Sequence, residues 1–100
     1  MGRKLTGHEK IAARNIRAAF NYEIGGYYNS YLDGEEDFPT LNEVKEIIYE
    51  CAICYRYAPG AILGPAPREM RFAGKEFCNR YINKLFETDA DAMEIPWREE

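Results

Sequence analysis

One imidazole and three thiols in this 100-residue chain could hold a transition metal: His8, Cys51, Cys54 and Cys78. Together they could form a tetrahedral Cys3His zinc site, and the Cys-x-x-Cys pair alone could be a redox dithiol. The context IIYECAICYRY argues against both. It reads as the interior of a helix, whereas a redox Cys-x-x-Cys sits at a helix N-terminus, where the dipole lowers a thiol pKa. The second close pair that marks structural zinc is missing. Cysteines acting as small buried hydrophobes are the better account. Three cysteines, an odd count, with no apolar leader pattern point to reduced thiols and a cytoplasmic setting.

Other chemistry is equally thin. Glu43, Glu46 and Glu50 fall at i, i+3 and i+7, a chelating spacing, but no matching ExxH helix accompanies them. Glu23 lies among tyrosines, where it could hydrogen-bond a phenol or face solvent. The GAILGPAP stretch lacks the Lys-Ser/Thr of a phosphate-binding loop, and GxSxG, HExxH and EF-hand patterns are missing. Without a nucleophile–base–orienter set, the expectation is a protein that is not an enzyme, with no catalytic residues, cofactor or bound metal. Met1 to Thr6 fits the MGxxxT acylation pattern, but a single acyl chain anchors only marginally and Thr6 already suits a helix cap.

Binding chemistry is better represented. Eight tyrosines are many for this length, and four of them, Tyr22, Tyr27, Tyr28 and Tyr31, precede the acidic run Asp33-Gly34-Glu35-Glu36-Asp37. Tyrosine has an apolar body and a polar tip, so it suits core edges and interfaces alike. Adjacent Tyr27 and Tyr28 cannot both enter one narrow core seam. The sequence therefore nominates Tyr27, Tyr28, Tyr31, Asp33, Glu35, Glu36 and Asp37 as a protein-binding patch, aromatic anchors beside carboxylates that meet cations. The same tyrosine excess would also suit a homodimer seam.

Opposite charges are grouped just as clearly. Net charge is −4, with 13 basic residues against 17 acidic. Residues 1–22 carry +4, residues 23–50 carry −7, residues 51–86 carry +4 and residues 87–100 carry −5. Lys10, Arg14 and Arg17 form one basic stripe, and Arg68, Arg71 and Lys75 a second. They could pair with Glu43, Glu46 and Glu50 as weak surface ion pairs. They could instead grip nucleic-acid phosphates, which requires both stripes on one face.

The elements that must position these residues are helices. Thr6 and Glu9 form a capping box, as do Thr40 and Glu43. Ala12, Ile16, Ala19, Phe20 and Ile24, continuing to Tyr27, Tyr28 and Tyr31, recur at helical spacing. This predicts a first helix over about 7–32, with a weak point at Gly25-Gly26. A second is expected over 41–57 on Leu41, Val44, Ile48, Cys51 and Tyr55, and a third over 67–86 on Met70, Ala73, Phe77, Cys78, Ile82 and Leu85. Residues 60–67 read as a loop whose Ile62 and Leu63 plug into the core. Gly74 is expected to let a neighbouring helix come close. The tail, 88–100, should pack partly on the bundle through Ile95 and Trp97, with its last residues loose. The class is all-α: one helical domain over 1–100, a compact three-helix bundle with an acidic tail. No apolar run is long enough to span a membrane.

The function these features favour is protein binding through the acidic, tyrosine-rich surface. The partner is another protein, and one that binds nucleic acid would carry the cationic surface required. In size, acidity and exposed tyrosine the chain resembles small accessory or inhibitor proteins of phages and mobile elements, anti-CRISPR proteins among them. That likeness is one of composition. The alternative is a nucleic-acid-binding regulator using the two basic stripes.

Overall fold

The computed structural model describes residues 4–100, and the first three positions of the MGxxxT pattern lie outside them. Among the described residues the chain is mostly helical, with five helices and one short hairpin in place of three helices alone. The first helix, α1 (Gly7–Leu32), opens on the capping box: the Glu9 backbone N–H donates to Thr6 Oγ1 and the Thr6 N–H donates to Glu9 Oε1. It runs unbroken through Gly25-Gly26, which are exposed on its outer side. Two glycines cost a helix about 2 kcal/mol relative to alanine. Buried Ile24 before them and the packed rings of Tyr27 and Tyr28 after them hold the helix together across that point. At about 1.5 Å per residue, α1 is roughly 39 Å long. That matches the molecule's longest extent of 41 Å, so α1 is the axis on which the rest is assembled.

α2 (Leu41–Cys54) follows the second capping box, Thr40 with Glu43, and buries Val44, Ile48 and Ala52 at four-residue steps. It stops three residues before the expected end, and Tyr55 is exposed rather than part of the core. The cause is Asn15 of α1, 4% exposed. Its Nδ2 donates to Ala52 O at 2.8 Å and to Tyr55 O at 3.1 Å, while its Oδ1 accepts from the Tyr57 N–H at 2.8 Å. One side chain thus takes over backbone groups that a longer α2 would have used internally.

The freed chain forms a hairpin, β1 (Arg56–Ala58) with β2 (Ala61–Leu63), antiparallel with Tyr57 opposite Ile62. Pro59-Gly60 turns it, with Gly60 at φ +75°, where glycine is at ease. The expected loop is therefore partly strand, and Ile62 and Leu63 are 41% and 45% exposed rather than core plugs. Strands of three residues are too short to show an alternating pattern.

The expected third helix is two, α3 (Glu69–Ala73) and α4 (Lys75–Thr88), divided at Gly74 with φ +88° and ψ 153°. Nothing lies within 4 Å of where a Gly74 Cβ would stand, so this glycine serves a backbone corner and not a close helix approach. α5 (Ala90–Glu94) is capped by Asp89, whose Oδ1 accepts from the Ala92 N–H. Ile95 is then buried and Trp97 packs on the core. The final residues, expected loose, are tied to α2. Arg98 bridges to Thr40 through the backbone and to Glu43 Oε1 at 2.8 Å, and Glu100 accepts from the Asn42 N–H. No helix among the described residues is long and apolar enough to cross a membrane.

Candidate functional site

The C-terminal end of α1 gathers all seven residues nominated for partner binding, and it divides their work. Tyr27 turns inward. Its ring meets Trp97 edge-on at 5.5 Å and Phe38 at 6.5 Å, and Trp97 in turn meets Phe38 at 6.2 Å and Phe86 at 6.1 Å. The Trp97 indole N–H donates to Ala92 O at 2.9 Å. These rings form a footing under the acidic loop, so Tyr27 serves the core rather than an outer surface. Tyr28 crosses to α5 and donates its hydroxyl to Glu94 Oε2 at 2.9 Å, with the Tyr31 ring 6.1 Å away.

The first half of the loop is held by its backbone. The N–H groups of Asp33, Gly34 and Glu35 donate to Asn29 O, Tyr31 O and Ser30 O, and buried Phe38 anchors the far side. Asp33, Glu35, Glu36 and Asp37 are all exposed and make no ion pair among the described residues. Leu32, an exposed apolar side chain at 63% that sequence patterning passed over, directly precedes them. Glu94 is brought to Tyr28 from 66 residues away in sequence, so no local signal could have placed α5 against this end of α1. The −7 and −5 charge blocks thereby meet at one end.

Comparison with known protein families, curated proteins and solved structures finds no match. The side chains themselves must carry any functional reading.

Five of the basic residues lie toward the other end. Lys10, Arg14 and Arg17 lie exposed along the N-terminal half of α1, and α3, with exposed Arg68 and Arg71, packs beside that half; His8 and Phe72 rings are 5.0 Å apart. These five cations make no ion pair among the described residues. Lys75 does not join them. The corner at Gly74 turns it toward α2, where its ammonium sits 3.7 Å from Glu46 and 5.1 Å from the Tyr49 ring centroid. The second basic stripe is thus two residues, not three. Expected pairing of the stripes with α2 occurs at Lys75–Glu46 alone among the described residues, since Glu43 takes Arg98.

Between α1 and the hairpin runs an open groove. Ile11, Ala18, Tyr22, Tyr57, Ile62 and Pro67 supply an apolar lining, Arg14 and Arg56 two cations, and Glu69 a carboxylate. Arg56 and Tyr22 were not among the nominated residues. Arg56 stands alone in its sequence neighbourhood and is matched to Arg14 only by the hairpin.

The zinc set does not assemble. Among the described residues no three His, Cys, Asp or Glu side chains are placed to hold one metal ion. Cys78 is buried in α4, Cys54 exposed at the end of α2, and His8 lies against Phe72. Burial pushes the Cys51 and Cys78 thiols up, away from the thiolate that nucleophilic chemistry needs. Burial likewise raises Glu23.

Several tyrosines hold their protons more tightly than usual. Tyr28 is raised first by its bond to Glu94, and Tyr27, Tyr49 and Tyr57 first by burial. Folded-state values above the unfolded value of about 10 mean that the native chain keeps protons the unfolded chain loses. Stability is thus fully present below about pH 10 and lost as pH rises through the folded values. The melting temperature should fall steadily above about pH 10, and Tyr28→Phe should remove part of that slope. A melting temperature that holds or rises there would show that these phenols do not matter to folding.

Proposed function

We propose that this chain is a non-enzymatic protein-binding module that presents its acidic end to a cationic surface of another protein. The observation that carries this reading is the state of the loop carboxylates. Asp33, Glu35, Glu36 and Asp37 are exposed and without ion pairs among the described residues, directly after exposed Leu32. Complementary charge of this kind speeds encounter and selects partners, and a central apolar contact supplies affinity. A protein that itself grips nucleic acid carries the cationic surface this end fits, which agrees with the likeness in composition to phage and mobile-element inhibitors.

The nucleic-acid alternative has weaker geometric support. Lys75 is engaged with Glu46, which leaves Lys10, Arg14, Arg17, Arg68 and Arg71 for phosphates. A nuclease-treated pull-down with mass spectrometry identifies the partner, and Glu35→Lys with Glu36→Lys then tests the surface. The double reversal should weaken binding about tenfold or more, chiefly through a slower on-rate and a lost salt dependence. Unchanged affinity would remove the acidic end from the interface, and capture abolished by nuclease would favour the alternative.

A further inference from the structure

We propose that the acidic end of one copy docks in the α1–hairpin groove of a second copy, so that the chain associates head to tail. This rests on the reading above, because the same acidic end is the docking element, and it names a further partner for it.

The two surfaces complement one another in both polarity and charge. The groove offers aliphatic contacts from Ile11, Ala18, Ile62 and Pro67, with two cations, Arg14 and Arg56, against one carboxylate, Glu69. Neither arginine has an ion pair among the described residues. The acidic end offers Leu32, 63% exposed, followed directly by Asp33, Glu35, Glu36 and Asp37. An apolar anchor trailed by carboxylates is the chemistry an apolar groove with two such guanidiniums selects. A single-stranded nucleic acid suits it less. The Tyr22 and Tyr57 rings already pack on each other at 6.1 Å, which leaves them less free to stack on bases.

One copy cannot satisfy itself. Arg14 and Asp33 are on and at the end of the same helix, roughly 28 Å apart at 1.5 Å per residue. That distance exceeds the screening length of about 8 Å at physiological salt, so the two ends act independently. Like ends repel, which disfavours a two-fold dimer through either one. The remaining contact is groove to loop: made once it is heterologous and repeats into open chains, and exchanged twice between antiparallel copies it closes a dimer.

Sedimentation equilibrium tests this directly. In low salt the average mass of the wild-type chain should rise above 11.6 kDa with concentration and return toward it at about 0.5 M salt. Arg14→Gln with Arg56→Gln disables the groove, and Leu32→Ser with Glu35→Gln and Glu36→Gln disables the loop. All five positions are exposed, so both variants should fold, which circular dichroism checks. Each alone should associate about tenfold or more weakly. Mixed together they should form dimers and stop there, because only one intact loop and one intact groove meet. A wild-type chain that stays monomeric, association untouched by either set, or a mixture that does not pair would overturn the proposal. The two readings fail separately: the groove variant keeps its acidic end and should still capture the partner protein. Capture that depends on the loop, without self-association, removes this inference and leaves the protein-binding reading standing.

Discussion

Replacing Asn15 with leucine should destabilise the protein by about 3–4 kcal/mol, a large fraction of what holds a domain of this size together. The side chain is buried and makes three hydrogen bonds, donating to Ala52 O and Tyr55 O and accepting from the Tyr57 N–H. Leucine fills similar space but leaves those backbone groups unpaired, at about 1–3 kcal/mol each when buried. Water can reach the partly exposed ones, which brings the total down. With a total stability of about 5–15 kcal/mol, the melting temperature should drop by roughly 15–25 °C. Asn15→Asp separates hydrogen bonding from shape. It keeps the size and the acceptor for Tyr57 but turns a carboxylate toward two carbonyl oxygens, so it should cost at least as much as leucine. If thermal denaturation finds Asn15→Asp close to wild type, shape and not donor chemistry joins α1 to the hairpin. The groove should suffer with the fold, because Tyr57 and Arg56 are held against α1 through this residue.

Trp97→Ala should cost about 3 kcal/mol, near the lower end for loss of a large aromatic because Trp97 is only partly buried. The change removes edge-on contacts with Tyr27, Phe38 and Phe86 and strands Ala92 O. Trp97→Phe keeps an aromatic ring but loses the indole donor, and about 1 kcal/mol should separate it from wild type by that bond alone. Urea denaturation measures both. The chain has a single tryptophan, so wild-type fluorescence reports directly on whether this tail is docked. The acidic end should respond as well, since Phe38 and Tyr27 hold the two sides of the loop. A Trp97→Ala variant within about 1 kcal/mol of wild type would mean that the tail is an ornament on the bundle and not its footing.

Much of the helical framework was legible locally. Both capping boxes join residues three apart, and the stripe from Ala12 to Ile24 depends on 3.6-residue periodicity alone. The nominated loop residues Asp33 to Asp37 also emerge where a helix ends on its own signals. The rest was hidden for definite reasons. Gly74 reads equally well as a helix glycine and as a corner, and only its φ of +88° shows that Lys75 leaves Arg68 and Arg71 for Glu46. Asn15 looks like any polar residue on a helix, because its partners lie 37 to 42 residues away.

Charge shows the division most plainly. The linear sequence by itself determined four signed blocks, +4, −7, +4 and −5, and the helices that carry them. It left open whether they cancel face against face or separate. Tertiary structure decided for partial separation: Tyr28 bonded to Glu94 and Phe38 packed on Trp97 join acidic segments at one end, α3 and the hairpin lie beside Lys10, Arg14 and Arg17 at the other, and Lys75–Glu46 and Arg98–Glu43 still pair opposite charges on α2. The physical reason is that α1 spans the whole molecule, so the short elements α3, α5 and the hairpin each pack toward one end of it, while α2 runs alongside from Thr40 by Arg98 to Ala52 by Asn15. Buried apolar contacts and backbone hydrogen bonds, worth more than exposed ion pairs, made that choice, and the charges followed.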